Sequence, residues 1–258
     1  MSARMKRIIS SFVFFLLICA VLAEDTRCYE LRVYTAAEGK LEALNARFRD
    51  HTCKLFEKHG LTNVGYWVPS DKSDNRLIYV ISSPNRSAHA KSFKAFLNDP
   101  DWKKAYAAST KSGRLVAKID STFMSATDYS PIIKSVITKD IRVFELRTYT
   151  TAPGRLKNLH ARFRDHTCRI FENHGMTNVA YWTPMDDNKG KSNTLIYIIS
   201  HYEKPVLSGT AQAKKNWRGF VGDSAWKKAR AASEKDGKIL AKAPHKVFMN
   251  SVDYSPIK

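Results

Sequence analysis

The chain has 258 residues, with 43 Lys and Arg against 24 Asp and Glu, a formal charge of +19. Hydrophobic residues make up 43% and aromatics 11%, enough apolar surface to offset ordering entropy, which excludes a disordered chain. Eleven Gly and nine Pro exclude a collagen-like or low-complexity polymer, and the length fits one large or two small domains.

Residues 1–23 read as a secretory signal peptide. Arg4, Lys6 and Arg7 form a basic start, Phe12–Leu22 an apolar core, and Val21-Leu22-Ala23 a cleavage site with short side chains. The alternative is a retained anchor, but Ile8–Ala23 holds only 16 residues and includes Ser10 and Ser11. A spanning helix needs about 20. Cleavage near Ala23 predicts a secreted or cell-envelope protein with 40 basic and 24 acidic residues, a charge of +16. Cys19 leaves with the leader, and Cys28, Cys53 and Cys168 remain. An odd number leaves at least one thiol unpaired or shared between chains.

The rest is a tandem repeat. Residues 29–69 and 144–184 align without a gap, and 27 of the 41 positions are identical. Ala46-Arg-Phe-Arg-Asp-His-Thr-Cys53 recurs as 161–168, Trp102-Lys-Lys-Ala105 as 226–229, and Asp128-Tyr-Ser-Pro-Ile132 as 253–257. We expect a first domain at 24–132, a linker at 133–141 and a second domain at 142–258. Within each copy, Cys28–Tyr34 alternates as a strand, with Tyr29, Leu31 and Val33 on one face. Glu38–His59 has the spacing of a helix that Gly60 ends. Asn63–Val68 and Arg76–Ser82 form a strand pair, Asp99-Pro100 opens a helix, and Ile119–Ala126 is the last strand. The order βαββαβ is a ferredoxin-like unit, α+β in class. Glu30, Arg32 and Tyr34 recur as Glu145, Arg147 and Tyr149 on the face opposite the apolar one. That repetition predicts that the two units pack sheet to sheet through this polar face.

The runs Tyr29-Glu-Leu-Arg32, Arg49-Asp-His-Thr52, Phe56-Glu-Lys-His-Gly60 and Gly65-Tyr-Trp67, each repeated in the second copy, resemble the NIPSNAP domain. The resemblance implies a dimeric α+β barrel, here an intramolecular one, in which two ferredoxin-like units join their sheets. It implies no particular reaction. Eukaryotic members look like mitochondrial proteins linked to vesicular transport and mitophagy signalling, roles that the leader here sets aside. Monooxygenases and haem-degrading enzymes share the barrel, an analogy of fold only.

Candidate ligand-binding residues follow from spacing. His51 and His166 complete the apolar stripe of their helices, where a buried ring could anchor a ligand or act as a base, or simply hydrogen-bond within the core. Arg49 and Arg164 could reach a carboxylate ligand at the barrel mouth. Tyr66, Trp67, Tyr181 and Trp182 lie on strands and are core aromatics or the wall of a pocket between sheet and helices. Cys53 and Cys168 fall about 200° around the helix from the stripe. His59 and His174, in last helical turns, suit the helix dipole better than a metal. No metal site and no cofactor fingerprint is expected. Lys214, Lys215, Arg218, Lys227, Lys228 and Arg230 concentrate the charge in the second copy. They form a solvated face or a patch for anionic polymers or membrane surfaces, without a specific nucleic-acid motif. We therefore expect an exported protein that binds a small apolar or aromatic ligand between sheet and helices. A non-enzymatic module using the basic second copy is the alternative. The pseudo-dimer within one chain leaves room for higher oligomers.

Overall fold

The computed structural model describes residues 25–137, 142–202 and 210–258. The leader expected at 1–23 and residues 138–141 of the expected linker lie outside these. The first copy runs β1 (Cys28–Ala36), α1 (Leu41–Arg47), α2 (Cys53–Lys58), β2 (Thr62–Pro69), β3 (Arg76–Ser83), α3 (Arg86–Asn98), α4 (Pro100–Ser109) and β4 (Val116–Ala126). The second repeats it as β5 (Arg142–Thr150), α5 (Leu156–Arg162), α6 (Cys168–Asn173), β6 (Met176–Pro184), β7 (Thr194–Tyr202), α7 (Ala211–Gly222), α8 (Ser224–Ser233) and β8 (His245–Ser251). Helices α3 and α7 are additions to the simple βαββαβ reading. The side chain of Asn85 starts α3 by accepting from the Ala88 N–H, an N-cap ahead of a weakly amphipathic segment.

The eight strands close into one antiparallel barrel in the order β1-β3-β2-β8-β5-β7-β6-β4. Each copy's last strand joins the copies. β4 pairs with β1 at home and with β6 across the boundary, and β8 pairs with β5 and with β2. The repeated Asp-Tyr-Ser-Pro segments follow these strands and fasten onto the other copy. Ser130 Oγ accepts from the Tyr181 N–H at 3.0 Å, and Ser255 Oγ from the Tyr66 N–H at 3.0 Å. Tyr129 reaches His160 and Tyr254 reaches Asn45, each at 2.8 Å.

The sheets meet as the repeat implied, but the face is reversed. Tyr29, Leu31, Phe144 and Leu146 point into the barrel with Trp67, Trp182, Ile78 and Ile198. Tyr34 and Tyr149 lie on the outer surface beneath the helices, and Glu30, Arg32, Glu145 and Arg147 share that face by alternation. The physical reason is enclosure. A barrel interior walled by strands offers a charge neither water nor a helix side chain, so the more apolar face goes inward. The helix-covered face can satisfy the charges.

The long first helix of each copy is interrupted by a π-helical segment, Phe48–Thr52 and Phe163–Thr167. The wider turn rotates everything after it. Thr52 and Thr167 become the buried residues, and their hydroxyls donate to the carbonyls of Arg47 and Arg162.

Candidate functional site

The π segments displace the expected histidine anchors. His51 and His166 are exposed rather than core-facing, because a stripe of 3.6 residues per turn does not continue through a stretch that winds more loosely. His51 nonetheless borders an outer pocket of about 570 Å³ between α2 and α4, with Leu55, Ala105, Lys54, Lys58 and Lys104. The same rotation brings Cys53 and Cys168 toward their cores. Burial pushes the Cys53 thiol up to about 12 and the Cys168 thiol up to about 11, so neither is a thiolate at neutral pH. With Cys28 they are free thiols.

The expected carboxylate partners of the arginines are internal. Arg49 makes a bidentate pair with Asp253 at 2.6 and 2.9 Å, and Arg164 one with Asp128 at 2.6 and 2.7 Å. Both pairs are exposed and link the two copies. Trp67 and Trp182 lie inside the barrel, on the far side of the sheet from any helix, and line no helix–sheet pocket. Tyr66 and Tyr181 face the helices, fully buried. Their hydroxyls donate to Asn63 and Asn178, and their rings stack on Tyr79 and Tyr197. His59 and His174 bond the capping residues of the following helices, Asp99 at 2.7 Å and Asp223 at 2.8 Å. Among the described residues no group of three or more His, Cys, Asp or Glu could hold a metal ion. The six basic residues of α7 and α8 are exposed, while Trp217 and Trp226 turn inward.

Two further pockets lie at equivalent places between sheet and helices, one in each copy. The first has a volume of about 530 Å³. Its walls are Phe93, Phe96 and Trp102 from α3 and α4, with Tyr34 from the sheet, and its polar groups are the buried Arg47 and Thr52, the largely buried Arg32 and the exposed Lys118. Leu97, Tyr106 and Ile119 border it and are each about half exposed. The equivalent pocket of the second copy is smaller, about 310 Å³, between Arg147, Arg162, Trp217, Phe220 and Trp226.

Arg32 is compensated. Its guanidinium donates to Glu30 at 2.6 Å and to the Tyr34 hydroxyl at 3.0 Å, and lies 4.7 Å over Phe93. Burial alone would raise the Glu30 carboxyl, but His89, whose Nε2 lies 2.9 Å away off the hydrogen-bond axis, outweighs it together with Arg32 and Ser121. The net shift is downward, so the carboxylate stays ionised. Glu145 is held ionised in the same way by His201, Arg147 and Trp217.

Arg47 is different. It is 5% exposed, lies 5.3 Å from the rings of Trp102 and Tyr106, and donates to Ser109 Oγ at 3.3 Å. Among the described residues no carboxylate lies within ion-pair distance of it. Burial pulls its pKa down, opposed only by tyrosines. Its counterpart Arg162 has the matching contacts to Trp226 and Ser233 and also a carboxylate, Glu234, at 3.2 Å.

Arg47 and Arg162, the arginines at the heart of both pockets, are not among the residues expected to bind ligand, unlike the neighbouring Arg49 and the histidines. The available signal was helical phase: one position before Phe48, an arginine recurs where a core helix turns toward its sheet. His89 had no counterpart in the second copy to draw attention to it, since Ala213 stands there.

An eight-stranded antiparallel barrel with a helical layer on each side, built from two copies of one unit, defines this molecule as a dimeric α+β barrel folded within one chain. The NIPSNAP family model matches residues 29–131 and again 144–256, and the chain belongs to the NIPSNAP family. Among solved structures, a protein provisionally assigned as a monooxygenase from Lactobacillus acidophilus aligns at TM-score 0.55 and 13% identity. That alignment covers 88% of this chain and 94% of the other. A similar provisional monooxygenase from Fusobacterium nucleatum aligns at 0.54 and 10% identity, covering 88% and 93%. An uncharacterised NIPSNAP-like domain protein from Burkholderia xenovorans matches 45% of this chain with 97% of its own length, at 0.38 and 12% identity. The sequence matches no curated protein.

Proposed function

We propose that this protein is an exported binding protein that takes a small apolar or aromatic molecule in the helix–sheet pocket of its first copy. The observation that carries this reading is the pocket itself: about 530 Å³ with aromatic walls, bordered by the half-exposed Leu97, Tyr106 and Ile119. Apolar walls with a few placed polar groups are the usual composition of a small-molecule site. Its buried and largely buried cationic groups are guanidinium groups, which bind and orient but carry no proton to transfer at physiological pH. The monooxygenase assignments of two solved barrels, at 13% and 10% identity, speak to fold and not to reaction here. The basic face of α7 and α8 is the weaker basis for function, because its tryptophans point into the protein and leave the lysines without aromatic neighbours.

The test is calorimetric titration of the whole chain with a neutral probe, naphthalenemethanol. Saturable binding is expected, and Ala117→Trp should abolish it by filling the mouth from an exposed position. No saturable binding by the unaltered chain overturns the reading.

A further inference from the structure

The two pockets differ at a pair of positions one helical turn apart. Aligned on the shared Trp-Lys-Lys-Ala segments, Tyr106 and Thr110 of the first copy stand where the second has Arg230 and Glu234. Glu234 lines its pocket and divides its carboxylate, one oxygen 3.2 Å from Arg162 and the other 3.0 Å from Arg230. The second pocket therefore contains an organic acid of its own, supplied by the chain. The first keeps the same buried arginine, the same Ser hydroxyl beneath it and the same tryptophan beside it. It has no acid among the described residues, and its space is larger.

We propose that the first pocket binds a small organic acid, its carboxylate on Arg47 where Glu234 sits on Arg162, and its apolar body against Phe93, Phe96 and Trp102. This rests on the pocket reading above and names the class of ligand. A guanidinium removed from water with one long hydroxyl contact and aromatic rings for compensation, and no carboxylate, is an incomplete arrangement. A carboxylate completes it with charge-assisted hydrogen bonds. The apolar mouth fits the same occupant. Where the second copy presents Arg230 and Pro244, the first presents Tyr106 and Ile119, which can cover a hydrocarbon body rather than hold a second charge. The duplication has thus left one pocket closed by its own side chain and one open to a free acid.

The experiment compares naphthoate with naphthalenemethanol on the whole chain by calorimetry at neutral pH. Naphthoate is expected to bind once per chain and tighter than the alcohol by on the order of tenfold. Transplanting the second copy's pair, Tyr106→Arg with Thr110→Glu, should remove naphthoate binding. These positions are exposed and partly exposed, so the variant tests the idea even if Arg47→Gln fails to fold. Arg47→Gln, where folded, should erase the acid's advantage. The reciprocal Arg230→Tyr with Glu234→Thr should raise the stoichiometry to two. Equal affinity of acid and alcohol overturns this inference while leaving the pocket reading standing, and binding of neither overturns both. Two sites on the unaltered chain, or undiminished naphthoate binding by the transplant, overturns the self-filled second pocket as the model for the first.

Discussion

The barrel interior and the two helix-covered outer layers are made by opposite faces of the same strands, yet they obey different rules. Inside, Tyr29, Leu31, Trp67, Phe144, Leu146 and Trp182 pack against one another, with only Ser82 and Ser200 opposite Tyr29 and Phe144 and, at the end of β5, Arg142 over the Phe144 ring as polar company. Even the indole N–H groups of Trp67 and Trp182 find no partner there. Outside, the same strands place Glu30, Arg32, Glu145 and Arg147 beneath helices, nearly as deeply buried but joined to histidine, serine, tyrosine or tryptophan. What separates the two regions is the kind of wall. A helix can carry a polar side chain to a charge, whereas a closed ring of strands offers mostly inward-facing apolar positions. The buried arginines that line helix–sheet pockets, Arg47, Arg147 and Arg162, lie in these outer layers.

The sharpest way to break this contrast is to remove one outer charge. Glu145 is 0% exposed and holds Arg147 at 2.8 Å and the Trp217 indole at 2.6 Å. Glu145→Ala should cost about 3–5 kcal/mol, since it leaves a buried guanidinium without its acid. Urea unfolding measures it, and a loss below about 1 kcal/mol would mean that the outer layer tolerates charge as a wet surface does. Acid makes the same cut reversibly. Glu30 and Glu145 are held below the ordinary value, so their stabilisation is fully present above the unfolded-state pKa of a glutamate. It is lost as the pH falls through the lower folded value. Thermal melts of the parent and Glu145→Gln should therefore converge as the pH drops below about 4. Parallel curves would place the acid sensitivity elsewhere.

The interior should fail through volume instead. At a bulge in β2, Gly65 lies beneath the Trp67 ring, and a Cβ there would come within 2.2 Å of the indole. The ring is fully buried and has nowhere to swing. Gly65→Ala should cost about 1–3 kcal/mol by overpacking. Ala180 already occupies the equivalent position in the second copy, where Trp182 packs on Tyr29 at 5.7 Å much as Trp67 packs on Phe144 at 5.6 Å. A neutral Gly65→Ala would show that the first copy can adopt the second's arrangement.

The same division explains what could be read from the residues alone. Strand alternation, the gapless repeat and the capping Asp99-Pro100 are local signals, and the elements they announced are present. Which face of β1 turns inward is not local. It depends on the Phe93, His89 and Trp217 side chains brought over the polar face by α3 and α7, helices that carry low apolar contrast. The misplacement of His51 and His166 has a narrower cause. A single π turn leaves no mark in an apolar pattern read at constant pitch, so Thr52 and Thr167 were invisible and the histidines one position along looked buried. The pocket arginines sit just before that turn, where helical phase still holds.

The smallest effect is expected where the copies are joined by charge at the surface. Arg164 meets Asp128 with two hydrogen bonds of good geometry, and the pair sits on the repeated tail that closes the barrel. Geometry alone would make it look indispensable. Yet both side chains are about half exposed, so water and salt compete for each charge, and such pairs are worth about 0–1 kcal/mol. The tail has firmer holds: Ser130 Oγ satisfies the Tyr181 N–H, and the Tyr129 ring packs against Tyr181 and Phe163. Arg164→Ala should lower stability by no more than about 1 kcal/mol, and by less at high salt. Tyr129→Ala, which strips the buried contacts and leaves the ion pair, should cost more. If the arginine variant proved the worse of the two in thermal unfolding, the joint between the copies would belong with the charged outer layers. The expected order assigns it to the packing that also seals the barrel.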